Sequence, residues 1–218
     1  MANSYQTGGP RVLQIFPNTS VYQLESRLPK RFCDEINDYF VNNIDPEPGR
    51  LDVSTLNEEE RSVQVRWCQQ DDWIGPFIYQ YIHQANEHLF QYNITGIYYN
   101  NVHHLQYEEG HFHGWHIDTD GFDSIGYEPP HSRSIVTQYK EYVRKLAFII
   151  QLSDPEDYTG GDIEIEINSS KSKLDIGVIN KERGSIAIFD PRSRHRVNPV
   201  ESGKRNALVG WVLGPRWK

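Results

Sequence analysis

Cysteine is scarce in this chain: two in 218 residues, Cys33 and Cys68. Two are too few for a disulfide framework, so both are expected as free, buried, weakly polar side chains. Long apolar runs are missing too, and none approaches the roughly 18 residues of a transmembrane helix. The opening MANSYQTGGPR has no apolar core of the kind a secretory leader carries, so a soluble, cytoplasmic protein is expected. Positive charge is in deficit. The 22 Lys and Arg face 30 Asp and Glu, a formal net charge of −8. That argues against broad electrostatic binding to nucleic acid. No internal repeat and no low-complexity tract is found. What is present is an ordinary globular balance, 37% hydrophobic and 24% charged, in a chain long enough to bury a substantial core.

Residues 1–10 read as a flexible tail and 11–218 as a single domain. Supporting elements occupy about 11–93. Arg11–Phe16 alternates as a first strand. The spacing of Phe32, Cys33, Ile36, Tyr39, Phe40 and Ile44 predicts a helix opened by Leu28-Pro29. Ser62–Trp67 reads as another strand. A second helix, capped by Asp71-Asp72, runs to about Phe90. From about 94 to 215 short strands dominate: ITGIYY, HHLQYE, WHID, RKLAFIIQLS, GDIEIEI, GSIAIFD, RHRVNPV and RNALVGWVL. This order suggests a mainly β fold, an antiparallel jelly roll with helices against one face. The stretch Thr119–Val143, rich in Gly, Pro, Tyr and Ser, interrupts it as a long loop.

The chemistry centres on His116-Ile117-Asp118. At a strand end, positions i and i+2 face the same side, so an imidazole and a carboxylate project together. With a distant histidine they make the two-histidine, one-carboxylate triad that holds Fe(II) and leaves coordination positions open. A lone H-x-D is a weak signal. His195, in GSIAIFDPRSRHRVNPVESGKR, can supply the third ligand only through the fold. Ten residues on, Arg205 opens a strand in which Arg205, Ala207, Val209 and Trp211 share a face. If that face is inward, a guanidinium is buried and needs an anionic partner. A dicarboxylate would meet it with bidentate hydrogen bonds. His103, His104, His111 and His113 are expected at the surface or behind the ligands. The acidic run Asp162–Glu166 is expected to be a solvated strand face.

Tyr107 nine residues before His116, the His116-x-Asp118 pair, RKLAFIIQLSDPEDYTGGDIEI, the His195 block and Trp211 form an ordered set. Over roughly residues 60–215 the chain resembles the iron(II)- and 2-oxoglutarate-dependent dioxygenases, in their prolyl 4-hydroxylase-like, PKHD-type branch. The resemblance implies a double-stranded β-helix with iron on His116, Asp118 and His195. It implies 2-oxoglutarate as cosubstrate with its distal carboxylate on Arg205, and O2 as oxidant, with ascorbate as a further candidate. Tyr107, Ile149, Gln151 and Trp211 would surround the cosubstrate, although relatives often carry an aromatic residue where Gln151 stands. The substrate implied is a proline-containing peptide or protein. The same chemistry on another side chain or a small metabolite stays open, as do a non-catalytic jelly-roll binding module and a zinc hydrolase. From its own position and aromatics, the loop 119–143, leaving directly after Asp118, is expected either as a lid over a peptide or as a disordered insertion unrelated to catalysis.

Overall fold

Helix formation follows the apolar spacing. Helix α1 (Lys30–Asn43) buries Cys33, Ile36 and Phe40, three and four residues apart. Pro29 occupies its cap position, and its carbonyl accepts from the Phe32 and Cys33 amides. Helix α2 (Ile74–Ala85) buries Ile74, Ile78, Ile82 and Ala85 and runs into a π-helical turn, Asn86–Phe90. Trp73 takes its cap position without a side-chain hydrogen bond. The computed structural model describes residues 11–13, 21–49, 61–69, 73–97, 101–118, 142–170 and 173–215. The expected tail, the Asp71-Asp72 cap and residues 119–141 of the expected lid lie outside them.

In chain order the described strands are β1 (Arg11–Leu13), β2 (Val21–Leu24), β3 (Glu47–Pro48), β4 (Arg61–Ser62), β5 (Gln64–Trp67), β6 (Val102–Tyr107) and β7 (Phe112–His116). They continue with β8 (Tyr142–Gln151), β9 (Tyr158–Gly160), β10 (Ile163–Ser170), β11 (Lys173–Val178), β12 (Ile186–Phe189), β13 (His195–Val197), β14 (Val200–Gly203) and β15 (Arg205–Pro215). One sheet has the order β1-β2-β12-β8-β15-β6-β5-β3 and a second the order β11-β10-β13-β7-β4, while β14 and β9 form a small third sheet. The described pairings are antiparallel. This is the jelly roll, a double-stranded β-helix, that the sequence predicts.

Alternation divides the large sheet between two cores. Leu146, Phe148, Ile150, Leu208 and Val212 face the helices and meet Cys33, Ile36, Phe40, Ile78 and Ile82. Ala147, Ile149, Ala207 and Trp211 face the other way, toward Ile163, Ile165 and Val197 of the second sheet. Cys33 and Cys68 are free and buried, as expected.

Three expected elements change on inspection. The strand over Ser62–Trp67 is two strands: β4 pairs with β7 in one sheet and β5 with β6 in the other, with Val63 at the corner. RHRVNPV also divides, because Pro199 has no N–H to continue a ladder. ITGIYY is not a strand over its described part, residues 94–97. Thr95 N–H and Gly96 C=O bond only to Leu213, filling the edge of β15 beyond the end of β6. The sequence also does not predict strands β2, β3, β9 and β11.

Candidate active site

Strand β7 ends at His116 and strand β13 begins at His195, and these two residues are register partners. Asp118 lies two residues beyond the strand's end, where its N–H donates to Pro191 C=O at 2.9 Å. The ligand atoms of His116, Asp118 and His195 all lie within 4.8 Å of one another. His116 Nε2 is 3.7 Å from Asp118 Oδ1, and His195 Nε2 is 3.8 Å from Asp118 Oδ2. Among the described residues this is the one cluster with metal-holding geometry.

The backbone selects the tautomer. His116 Nδ1 lies 2.8 Å from Gly114 C=O and His195 Nδ1 lies 3.0 Å from Ser193 C=O. A carbonyl only accepts, so each Nδ1 carries the proton and each Nε2 presents a lone pair. Burial, reinforced by the His195 ring, pushes the His116 imidazole down to about 3, so the ring is neutral near pH 7. Burial by itself would raise the Asp118 carboxyl. The His195 and His116 rings and the Arg144 guanidinium outweigh it and hold Asp118 below the ordinary carboxylate value. Two imidazoles with their Nε2 atoms turned inward and one carboxylate are a donor set suited to a divalent metal.

Behind the triad, β15 presents Arg205, only 1% exposed, opposite Tyr107 on β6. Arg205 Cζ sits 5.2 Å from the Tyr107 ring centroid, and Arg205 Nη2 donates to Gln151 Oε1 at 3.0 Å. Gln151 Nε2 donates in turn to Asn180 C=O. The buried Arg205 Nε and Tyr107 hydroxyl have no hydrogen-bond partner, and no ion pair joins Arg205 among the described residues. Orphaned buried donors beside a buried cation fit an anion with several acceptor oxygens. The donor set and this cradle together suit a metal with a chelating dicarboxylate. Ile149 and Trp211 belong to the same inner cluster as Tyr107.

Gly160 and Gly161 have φ of +70° and +61°. A Cβ on Gly161 would come within 3.1 Å of Arg205 Cδ, and one on Gly160 within 2.3 Å of Pro199 C=O. The pair therefore permits a close backbone approach, and Gly161 also leaves room for the Arg205 stem.

The family model for the 2OG-Fe(II) oxygenase superfamily matches residues 102–213, just over half of the chain. The chain belongs to that superfamily. The chain is 39% identical over 67 residues to a PKHD-type hydroxylase of Hyphomonas neptunium, covering 31% of this chain and 28% of the relative. With a PKHD-type hydroxylase of Idiomarina loihiensis it shares 27% over 107 residues, covering 49% and 39%. It thus spans well under half the length of these relatives. A Trichoplax adhaerens prolyl hydroxylase, solved with a hypoxia-inducible-factor peptide fragment, superposes with a TM-score of 0.66 at 16% identity, covering 89% of this chain and 83% of that one. A Pseudomonas putida prolyl-4-hydroxylase gives 0.61 at 17% identity, covering 90% and 92%. At such identity the likeness is one of fold. No helix among the described residues is long and apolar enough to cross a membrane.

Three of the four neighbouring histidines are buried, so of the two expected placements the surface one fails for them, and His113 takes the place behind a ligand. His113 is turned inward by a bulge in β7: His195 and Val197 pair with His116 and His113, so β7 carries one extra residue. The two rings stack at 3.6 Å. His103 lies between the rings of Trp67 and Trp211, with centroids 4.5 and 5.0 Å away. His104 faces α1, bonding Asn37 Oδ1 through Nε2 at 3.0 Å. The Asp162–Glu166 run is less solvated than expected, since Glu164 accepts from Arg196 and Asn198.

A second bulge adds a residue that sequence reading missed. Val212 and Leu213 pair with Leu146 and Arg144, so Lys145 is the extra residue on β8. Arg144 Nη1 donates to Asp118 C=O at 2.6 Å, and its guanidinium lies 3.5 Å from the centroid of a Trp211 ring. Tyr158 is a further addition, buried with an unpartnered hydroxyl, its ring and the Arg205 stem both bordering Gly161.

Proposed function

We propose that this oxygenase is an Fe(II)- and 2-oxoglutarate-dependent dioxygenase that hydroxylates prolyl residues in a peptide or protein. His116, Asp118 and His195 hold the iron. Arg205 takes the distal carboxylate of 2-oxoglutarate, with the Tyr107 hydroxyl and Gln151 beside it and Ile149 and Trp211 as walls. The observation that carries the reading is the metal-holding triad together with a buried Arg205 that has no carboxylate partner among the described residues, the charges of Arg205 and Asp118 both reaching Tyr107.

Iron(II) with 2-oxoglutarate supplies O2 activation and insertion of one oxygen atom into a C–H bond, with release of succinate and CO2. The chain supplies placement. Imidazoles fixed through Nδ1 aim their two Nε2 atoms at one point. Three ligands leave open coordination positions for cosubstrate and oxygen. Arg144 fixes the Asp118 carbonyl and covers Trp211, at the side of the site where Asp118 leaves β7. The apolar inner core keeps water from the reacting centre.

Prolyl specificity is supported by the names of the PKHD-type relatives and by the peptide in the Trichoplax structure. Ascorbate enters on family grounds alone, as a reductant. The test is incubation with Fe(II), 2-oxoglutarate and a panel of proline-containing peptides, read by mass spectrometry. A gain of one oxygen on proline, with matching succinate, is expected. Oxygen gained by another residue or a small metabolite, with proline peptides inert, would leave the chemistry and remove the substrate.

A further inference from the structure

The triad is held by a turn that lies outside it. Residues 190–193 connect β12 to the residue before β13, and their carbonyls serve two of the three metal-facing residues. Pro191 C=O accepts from Asp118 N–H at 2.9 Å, and Ser193 C=O accepts from His195 Nδ1 at 3.0 Å. One side chain organises this turn. Asp190 is 6% exposed, and its Oδ1 accepts from Arg192 N–H at 2.9 Å and Arg192 Nε at 2.8 Å. Asp190 Oδ2 accepts from Arg192 Nη2 at 2.5 Å and from the Tyr92 hydroxyl at 2.8 Å. Asp190 C=O accepts from Ser193 N–H at 2.9 Å, closing the turn.

The support reaches back to the helices. Gln91 takes the left-handed region, φ +54°, and ends the π-helical turn. The Asn86 side chain then clamps Tyr92 on both backbone groups, donating to Tyr92 C=O and accepting from Tyr92 N–H, each at 2.9 Å. The end of α2 thereby delivers one phenol to a buried carboxylate about 100 residues later in sequence, a separation of 98. A π-helical turn often marks such a functional position.

We infer that Asp190 is a positioning residue, held by Tyr92, that sets the Asp118 backbone and the His195 tautomer for metal binding. The inference rests on the metal-site reading above. The probe is Mn(II) alone, by calorimetry, with Co(II) visible absorption as a report of ligand geometry. Asp190→Ala is expected to raise the Mn(II) Kd about ten- to a hundredfold, the range for groups that orient metal ligands, and to change the Co(II) spectrum. Asp190→Asn keeps one acceptor oxygen, enough for Arg192 N–H and Nε, but turns an amide N–H toward Arg192 Nη2 and the Tyr92 oxygen, so a partial rescue of both readouts, between Asp190→Ala and wild type, is expected. Tyr92→Phe removes one bond and is expected to give a smaller loss in the same direction. A folded Asp190→Ala with wild-type Kd and Co(II) spectrum would overturn the inference. Should that variant fail to fold, Tyr92→Phe decides: wild-type affinity and spectrum there overturn it equally. Wild-type protein that takes up no Mn(II) would remove the metal-site reading, and this inference with it.

Discussion

Arg205→Ala is the substitution whose outcome the structure constrains most closely. The guanidinium is 1% exposed and makes one side-chain hydrogen bond, to Gln151 at 3.0 Å. Its removal leaves Gln151 Oε1 without that donor, a loss of about 1–3 kcal/mol. Part of the loss is offset because an uncompensated buried charge also disappears. A net destabilisation of about 1–2 kcal/mol is expected, small enough to leave the protein folded. The effect on 2-oxoglutarate is larger. Charge-assisted bonds to a desolvated carboxylate contribute on the order of 1.5–3 kcal/mol, about ten- to a hundredfold in Kd. Metal affinity should not change, since no triad residue touches Arg205 in the described contacts. The assay is calorimetric titration of 2-oxoglutarate into protein loaded with Mn(II), beside thermal unfolding. Arg205→Lys keeps the charge and loses the fork, so it should fall between. Unchanged 2-oxoglutarate affinity in folded Arg205→Ala would refute the reasoning and point to another cation. Lys204 is a poor substitute, because its ammonium lies out at Glu108, 2.9 Å away.

His195→Ala removes one of three ligand atoms, and Fe(II)-dependent turnover should stop with the fold retained; near-wild-type turnover would contradict the triad. Gly160→Ala places a Cβ within 2.3 Å of Pro199 C=O at a φ of +70°, so a destabilisation of about 2 kcal/mol or more is expected in chemical unfolding. Acid should destabilise the metal-free protein through His104, which burial pushes down to about 3. The unfolded chain binds that proton near pH 6.5 and the folded chain only near 3, so stability falls as pH drops between those values. The full shift is on the order of 5 kcal/mol, and His104→Gln should flatten that limb of a stability–pH curve; an unchanged slope would contradict it.

Much of the site was legible because its signals are local. His116 and Asp118 sit two apart at a strand end, and Arg205 to Trp211 alternate on one strand, so period-two reasoning placed them. His195 was legible only through the ordered block around it. What escaped depends on broken alternation. Parity in β7 puts His113 outward and parity in β8 puts Arg144 toward the helices, yet one extra residue in each strand reverses both. Asp190 and Tyr92 were silent for another reason. They are linked across 98 positions by a single hydrogen bond, and neither residue type carries a metal-site signature. In the fold, the corner at Val63 and the division at Asn198-Pro199 are choices between two sheets, which a single strand's pattern does not encode.

The central claim is that His116, Asp118 and His195 support iron-dependent consumption of 2-oxoglutarate. Its most direct measurement is succinate formed from 2-oxoglutarate by wild type and by Asp118→Ala, each with Fe(II), with Zn(II) and without metal, in the presence of proline-containing peptides. Succinate formed by wild type with Fe(II) alone, and by Asp118→Ala under no condition, is the expected result. Wild type that forms none with Fe(II), or an Asp118→Ala variant that matches it, would contradict the claim.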